Sequence, residues 1–232
     1  MRTASCNSYF LFIICYLLLT GQQLLSAQEV FDHPLDSRNL PGYTAICNEL
    51  AGNKYIKGSF TLIRTPRRGR SMESNGYFII NTGTGIVWDT RSPVLSTMTV
   101  GRDFIIQTIP GKPRSITNTS GNQVFLSMAE TFDAVFTGKS GQLQEKFDNY
   151  FVSAISGDFS IWTIGLIPKE RTMRNFIDRI ILEGTGGNGN GQTKITSISM
   201  FEPSGNCTSY YLSNHSYPDE LSNDEKSFFS VE

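Results

Sequence analysis

Histidine is nearly absent from this chain: two in 232 residues, His33 and His215. Neither stands beside an acid and a nucleophile in a recognisable arrangement, and no HExxH or GxSxG occurs. Cysteine is scarce as well, four residues with no CxxC pair, so zinc binding and redox catalysis lack a ligand set. Asp89, Asp133 and Asp158 fall at turns or on helix surfaces, where capping and solvation account for them. The glycines of TGGNGNGQ, 185–192, do not follow a strand into a helix, which argues against a phosphate loop. These absences lead us to expect no metal, no cofactor and no enzymatic activity.

Excess positive charge is missing too. Twenty Lys and Arg face 21 Asp and Glu, a formal charge of -1. That argues against a nucleic-acid partner, which requires clustered cations to meet phosphates. The one basic cluster is RTPRRGR at 64–70. It reads either as a solvated loop or as a docking or lipid-surface contact.

Long apolar runs are missing apart from FLFIICYLLL at 10–19, preceded by Arg2 and followed by the small residues of LLSAQEV. Its length suits the apolar centre of a signal peptide and is short for a membrane span. We expect a signal peptide over 1–27, cleaved after Ala27 or alternatively after Gly21; the other reading is a retained N-terminal anchor. Ile14 is too large for the small residue that a lipid-modified Cys15 would require before it. The remainder, 28–232, reads as a single exported domain with a polar N-terminal segment and an acidic tail. Cys47 and Cys207 stay in it, an even pair in an oxidising compartment. They read either as a disulfide tying the first helix to the last strand or as two buried free thiols. Three N-x-S/T sequons, at Asn118, Asn206 and Asn214, matter only in a eukaryotic source.

What is present is apolar and aromatic surface. Hydrophobic residues make up 39% of the chain and charged ones 18%, enough for a sizeable core. PGYTAICNELAGN, 41–53, predicts a helix: Pro41 suits its first turn, Ile46 and Leu50 share a face, and Gly52 stops it. Short β-branched and aromatic runs then follow at 57–65, 75–81, 85–90, 96–100 and 103–109, separated by Gly, Pro and Asn. Residues 111–122 read as a polar loop. A second helix is expected over 122–138, with Phe125, Met128, Phe132 and Val135 or Phe136 as its stripe. Strands resume at 147–155 and 159–168, a short helix is expected within 169–176, and three further strands occupy 178–184, 193–202 and 206–214. About ten strands without strand–helix alternation disfavour a parallel sheet. A curved antiparallel sheet holding helices in its concavity fits best. Several strands are apolar on both faces, although a half-buried strand should alternate. Such a sheet could enclose a ligand cavity.

The segments LAGNKYIKGSFTLIRTPR, SNGYFIINTGTGIVWDTRSP, FTGKSGQLQEKF and WTIGLIPKERTMRNFIDRIIL follow one another in a familiar order. Gly58–Phe60, Ser74–Phe78, Gly85–Pro93 and Leu166–Pro168 carry the likeness, which spans roughly 40–215. In these residues the chain resembles the LolA-like family of periplasmic lipoprotein carriers. The resemblance implies a mainly β (α+β) fold, an unclosed antiparallel β-barrel with helices as a lid over an apolar cavity. It implies a monomeric periplasmic carrier that holds the acyl chains of lipidated proteins between the inner and outer membranes. An inner-membrane ABC-type releasing complex would load it and an outer-membrane acceptor would unload it. Family members point the side chains at the positions of Ile86 and Trp88 inward. By alternation, Phe78, Ile80, Phe60 and Leu62 join the cavity wall, with Trp162, Ile164 and Leu166 from the later strand. Phe125, Met128 and Phe132 would belong to the lid. One departure stands out: well-studied carriers have a lid-holding arginine where this chain has Thr82, and Arg64 and Arg91 are the candidate substitutes. The alternatives to a carrier are a LolA-like sensor or lipid-binding module that does not hand its ligand on, and an exported hydrolase.

Overall fold

The computed structural model describes residues 29–101, 103–118, 131, 134–136, 139–156, 159–186 and 192–230, with 155, 156 and 159 in backbone alone. The expected signal peptide, 1–27, lies outside them.

Eleven antiparallel strands form one sheet in the order β6-β5-β4-β3-β2-β1-β11-β10-β9-β8-β7. The first meander runs β1 (Tyr55–Thr65), β2 (Met72–Asn81), β3 (Gly85–Ser92), β4 (Ser96–Gly101), β5 (Phe104–Thr108) and β6 (Ser115–Asn118). The second runs β7 (Phe147–Ser156), β8 (Phe159–Pro168), β9 (Arg179–Thr185), β10 (Lys194–Phe201) and β11 (Cys207–Ser216). Pairing of β1 with β11 joins them, and β6 and β7 remain as separate edges. The sheet is therefore an unclosed barrel wall, as expected, with one strand more than the sequence suggested. That strand is β6, inside the segment read as a polar loop. SITN is fully exposed, so it carries no apolar alternation to betray it.

Local chemistry explains the turns. In the β2–β3 hairpin the Thr84 amide bonds the Asn81 carbonyl at 2.9 Å, and Gly83 takes φ 83°. A Cβ on Gly85 would lie 2.3 Å from the Val100 carbonyl oxygen, so the close pass of β3 against β4 requires glycine.

Four α-helices are described at full length: α1 (Leu40–Leu50), α2 (Ser140–Lys146), α3 (Arg171–Arg174) and α4 (Asn223–Ser227). Pro41 opens α1, and Tyr43, Ile46, Cys47 and Leu50 bury one stripe at helical spacing. Of the helix expected over 122–138, Thr131 and 134–136 are described, and they are helical. The lid residues Phe125, Met128 and Phe132 lie outside the described residues. α2 and α4 were not foreseen. α4 carries a capping box: the Glu225 amide donates to the Ser222 hydroxyl at 3.2 Å, and the Ser222 amide donates back to the Glu225 carboxylate at 2.9 Å.

The first and last described segments clothe the outer face. A 3-10 turn, Val30–Asp32, brings Phe31 against Tyr150, ring centroids 5.2 Å apart. The segment after it guards the β7 edge, with the Leu35 amide bonding the Asn149 carbonyl at 2.8 Å and the Phe151 amide bonding the His33 carbonyl at 3.0 Å. The C-terminal segment covers the outer face of the first meander, where Leu221, Phe228 and Phe229 pack with Tyr55, Ile79 and Val87.

The disulfide reading is corrected: Cys47 and Cys207 are both free thiols. The Glu49 carboxylate accepts the Thr193 hydroxyl bond, so the C-terminal end of α1 lies at the start of β10. Cys207 pairs with Phe201 at the far end of the same strand. The eight residues of β10 span roughly 25 Å, whereas a disulfide needs Cα atoms within about 7 Å.

Candidate functional site

The inner face of the sheet collects the sequence-predicted wall. Phe60, Phe78, Ile80, Ile86, Trp88, Trp162, Ile164 and Leu166 are buried in one apolar cluster, and Leu62 packs against it half-buried. Strand parity accounts for this. Phe78 pairs with Trp88 and Ile80 with Ile86 across β2 and β3, while Trp162 faces Gly184 and Ile164 faces Leu182 across β8 and β9. Tyr43, Leu182, Ile195, Ile198 and Leu212 belong to the same cluster. They were not singled out, although Leu212 and Tyr210 alternate plainly in CTSYYLSN.

At its centre stands an aromatic box. The Trp88 ring lies 4.5 Å from Tyr210, 5.1 Å from Phe60 in an edge-to-face contact, and 6.1 Å from Phe78. Trp162 is wholly buried, and its indole N–H has no hydrogen-bond partner among the described residues. Gly184 makes that placement feasible, because a Cβ there would lie 2.0 Å from the indole ring. A buried donor without an acceptor is unfavourable by about 1–3 kcal/mol.

Helical residues roof this face. Tyr43, Ile46 and Leu50 of α1 fill it from one side, and Ala134, Val135 and Phe136 from another. Between Thr131, Val135 and the β9–β10 wall a gap of about 10 Å³ remains, the room of a single water. α1 is pinned. The Tyr43 hydroxyl donates to the Asn149 side chain at 2.8 Å, and the Asn149 amide donates to the carbonyls of Phe147 and Leu143 at 2.8 and 3.1 Å. Burial pushes the Cys47 thiol up to about 11, partly offset by its hydrogen bond with Tyr43, so it is unreactive at neutral pH while α1 stays seated.

Burial falls along the strands toward one end. On β1, Phe60 is buried, Leu62 half-buried and Arg64 exposed; on β2, Phe78 is buried, Ser74 half-buried and Met72 58% exposed. Ile198 gives way to Met200 on β10 in the same sense, whereas Thr208 on β11, Ile180 on β9 and Leu166 on β8 stay buried at that end. Along β1–β3 the apolar interior therefore opens toward the end that carries Arg64 and Met72. Of the two candidate substitutes for the lid arginine, Arg64 lies on this inner face. Arg91 has the opposite parity and pairs with Asp89 on the outer face. Thr82 serves the turn, donating to the Lys54 carbonyl at 3.0 Å.

No group of three or more His, Cys, Asp or Glu side chains among the described residues is placed to hold a metal. No described helix is long and apolar enough to cross a membrane.

The chain matches no protein-family profile and no curated protein. Solved structures do resemble it in fold. A LolA superfamily protein from Nitrosomonas europaea matches at 9% identity and TM-score 0.45, over 81% of this chain and 96% of that one. A DUF1329 family protein from Desulfovibrio piger matches at 12% identity and TM-score 0.48, over 83% and 97%. A putative outer membrane lipoprotein-sorting protein domain from Vibrio parahaemolyticus matches at 11% identity and TM-score 0.45, over 81% and 98%.

Proposed function

We propose that the protein carries acyl chains between apolar surfaces, with the inner face of the sheet as the binding wall and the helical roof as the part that yields. The observation supporting this most is the inner face itself. It is apolar across β1–β3 and β8–β11, and among the described residues it holds an indole N–H without an acceptor and is covered by helical residues and no second sheet. Moving the roof exposes a wall that an acyl chain covers again, at about 0.8 kcal/mol per buried methylene. An ester or amide carbonyl beside the chain would satisfy the Trp162 N–H. α1 is held by Tyr43 and Asn149, so the roof element bearing Val135 and Phe136 is the one that yields.

On this reading the protein is not an enzyme and uses no cofactor. Its cargo is the acyl portion of a lipidated protein or another acylated ligand. It works as a periplasmic monomer between an inner-membrane ABC-type releasing complex and an outer-membrane acceptor.

A fluorescent fatty acid tests the reading. We expect micromolar binding at one site and displacement by a triacylated peptide. Labelling of Cys47 in a Cys207→Ser background should stay slow with ligand bound, because α1 is the fixed wall. Absence of micromolar binding would end the carrier reading. Fast Cys47 labelling on ligand addition would move the yielding element to α1.

A further inference from the structure

Three hairpin loops end the first meander on the same side of the sheet: 66–71 between β1 and β2, 93–95 between β3 and β4, and 109–114 between β5 and β6. Register brings them into one row, since Arg64 faces Met72, Asn75 faces Ser92, Thr90 faces Ser96 and Gln107 faces Ser115. Alternate strand gaps set successive loops roughly 10 Å apart. The row is a broad edge, not a groove.

Its chemistry differs from the rest of the chain. Residues 64–73, 89–95 and 108–115 hold seven of the 20 Lys and Arg, namely Arg64, Arg67, Arg68, Arg70, Arg91, Lys112 and Arg114. They hold two of the 21 acids, Glu73 and Asp89. The remainder has thirteen cations against nineteen acids, so a chain of formal charge -1 concentrates its positive charge on this edge. All seven cations are exposed. Arg91 is paired with Asp89, and Arg114 donates to the Ser230 carbonyl. Arg64, Arg67, Arg68 and Arg70 form no ion pair among the described residues. The neighbouring β10–β11 hairpin adds one acid, Glu202, held by the Ser204 and Asn206 side chains at 2.8 Å each.

Aliphatic side chains stand among these cations. Val94 is 62% exposed and Leu95 50%, at the tip of the central loop, and Met72 flanks the basic loop. Val94 and Leu95 leave adjacent aliphatic surface open to solvent at a loop tip, and basic residues on either side of them match a surface with negative phosphates above an apolar layer. The inner face opens on this same edge.

We propose that this edge docks on an anionic phospholipid bilayer, with Arg67, Arg68 and Arg70 on the head-group phosphates and Val94 and Leu95 at the acyl boundary. Docking needs no bound cargo, so it stands or falls apart from the carrier reading. When both hold, the mouth of the apolar interior faces the membrane that supplies or receives the acyl chain.

Co-sedimentation of the purified protein with vesicles tests it. Vesicles of phosphatidylcholine alone should leave it in solution, and vesicles with phosphatidylglycerol added should bind it, less so as salt rises. R67E/R68E/R70E should lower partitioning roughly a hundredfold, and V94S/L95S about tenfold. Leu95→Trp should give a blue-shifted emission on anionic vesicles. Fluorescent fatty acid binding should persist in R67E/R68E/R70E, which reports its fold and separates docking from cargo capture. Equal binding to both vesicle types, or to neither, would overturn the proposal. So would binding to polyglutamate as tight as to anionic vesicles with no response to V94S/L95S, which would assign the edge to an acidic protein.

Discussion

The hairpin of β2 and β3 is buried on both faces, by different means. Inward, Phe78, Ile80, Ile86 and Trp88 enter the large cluster shared by eight strands and the helical roof. Outward, Ile79 pairs with Val87, Val87 with Thr99 and Thr99 with Ile106, and the chain's own C-terminal segment lies over that row. The Thr99 hydroxyl donates to the Phe228 carbonyl at 3.0 Å, and Val87 is wholly buried. A strand that is apolar on both faces has two covers. In this hairpin the inner cover is a distributed core, and the outer one is a single strap anchored by a few side chains.

The largest test of that contrast is on the inside. Trp88 touches Phe60, Phe78 and Tyr210, so Trp88→Ala should lower unfolding free energy by about 3–5 kcal/mol in urea denaturation. A loss under about 1 kcal/mol would show that the box is already loose and that the interior is a wet cavity instead of packed core.

On the outside, Leu221→Ala should lower stability by about 2 kcal/mol, and it should expose the C-terminal segment to limited proteolysis before the sheet unfolds. Fatty-acid binding should be unchanged. If the variant loses ligand binding in step with stability, the two covers are one cooperative unit and the contrast fails.

Much of this architecture is legible in the sequence, and the omissions have physical causes. Strand runs such as YFII and IVW announce themselves by β-branched and aromatic residues; the family resemblance set Ile86 and Trp88 inward, and alternation then placed Phe60 and Phe78 on the same face. Between Ile86 and Trp88, Val87 faces outward, as alternation requires. Alternation could not show that the outward face is covered, because the cover comes from a segment 130 or so residues later whose acidic composition reads as solvated tail. Its apolar anchors, Leu221, Phe228 and Phe229, are sparse, and no local period links them to Ile79. Similarly, the even pair Cys47 and Cys207 looks like a bridge only while the direction of α1 across the sheet is unknown. Arg64 and Arg91 are indistinguishable as text, and only strand parity separates them.

His215 gives a smaller effect that belongs to the inner side. Its ring packs 5.7 Å from Phe78. Burial lowers its pKa from the ordinary 6.5, helped by the Lys194 charge and opposed by a hydrogen bond with the Ile195 backbone. A base held below its ordinary value stabilises the fold above pH 6.5, and that contribution fades as pH falls through the folded value. Stability should therefore drop by up to about 1 kcal/mol per unit of pKa depression on acidification, and His215→Gln should flatten that part of the profile. An unchanged slope would assign the acid response to other groups.

The smallest effect belongs to the strap. Lys57 on β1 pairs with Glu225 on α4, and the Ser222 amide also donates to that carboxylate. Burial alone would raise the Glu225 pKa, but the Lys57 ammonium and the Ser222 amide outweigh it and hold the carboxyl below the ordinary 4.5. A carboxyl depressed in the folded state contributes fully above its unfolded value and loses that contribution as pH falls through the folded one. The strap should thus loosen below about pH 4.5, not near neutrality. Both side chains are partly solvated, which limits the pair to less than about 1 kcal/mol. Glu225→Gln should raise the rate of C-terminal proteolysis severalfold at neutral pH while leaving global unfolding nearly unchanged, and the acid-dependent part of that cleavage should vanish. If Glu225→Gln lowers global stability as much as Leu221→Ala does, the strap is held by charge as firmly as by its apolar anchors, and the outer cover is not the weak one.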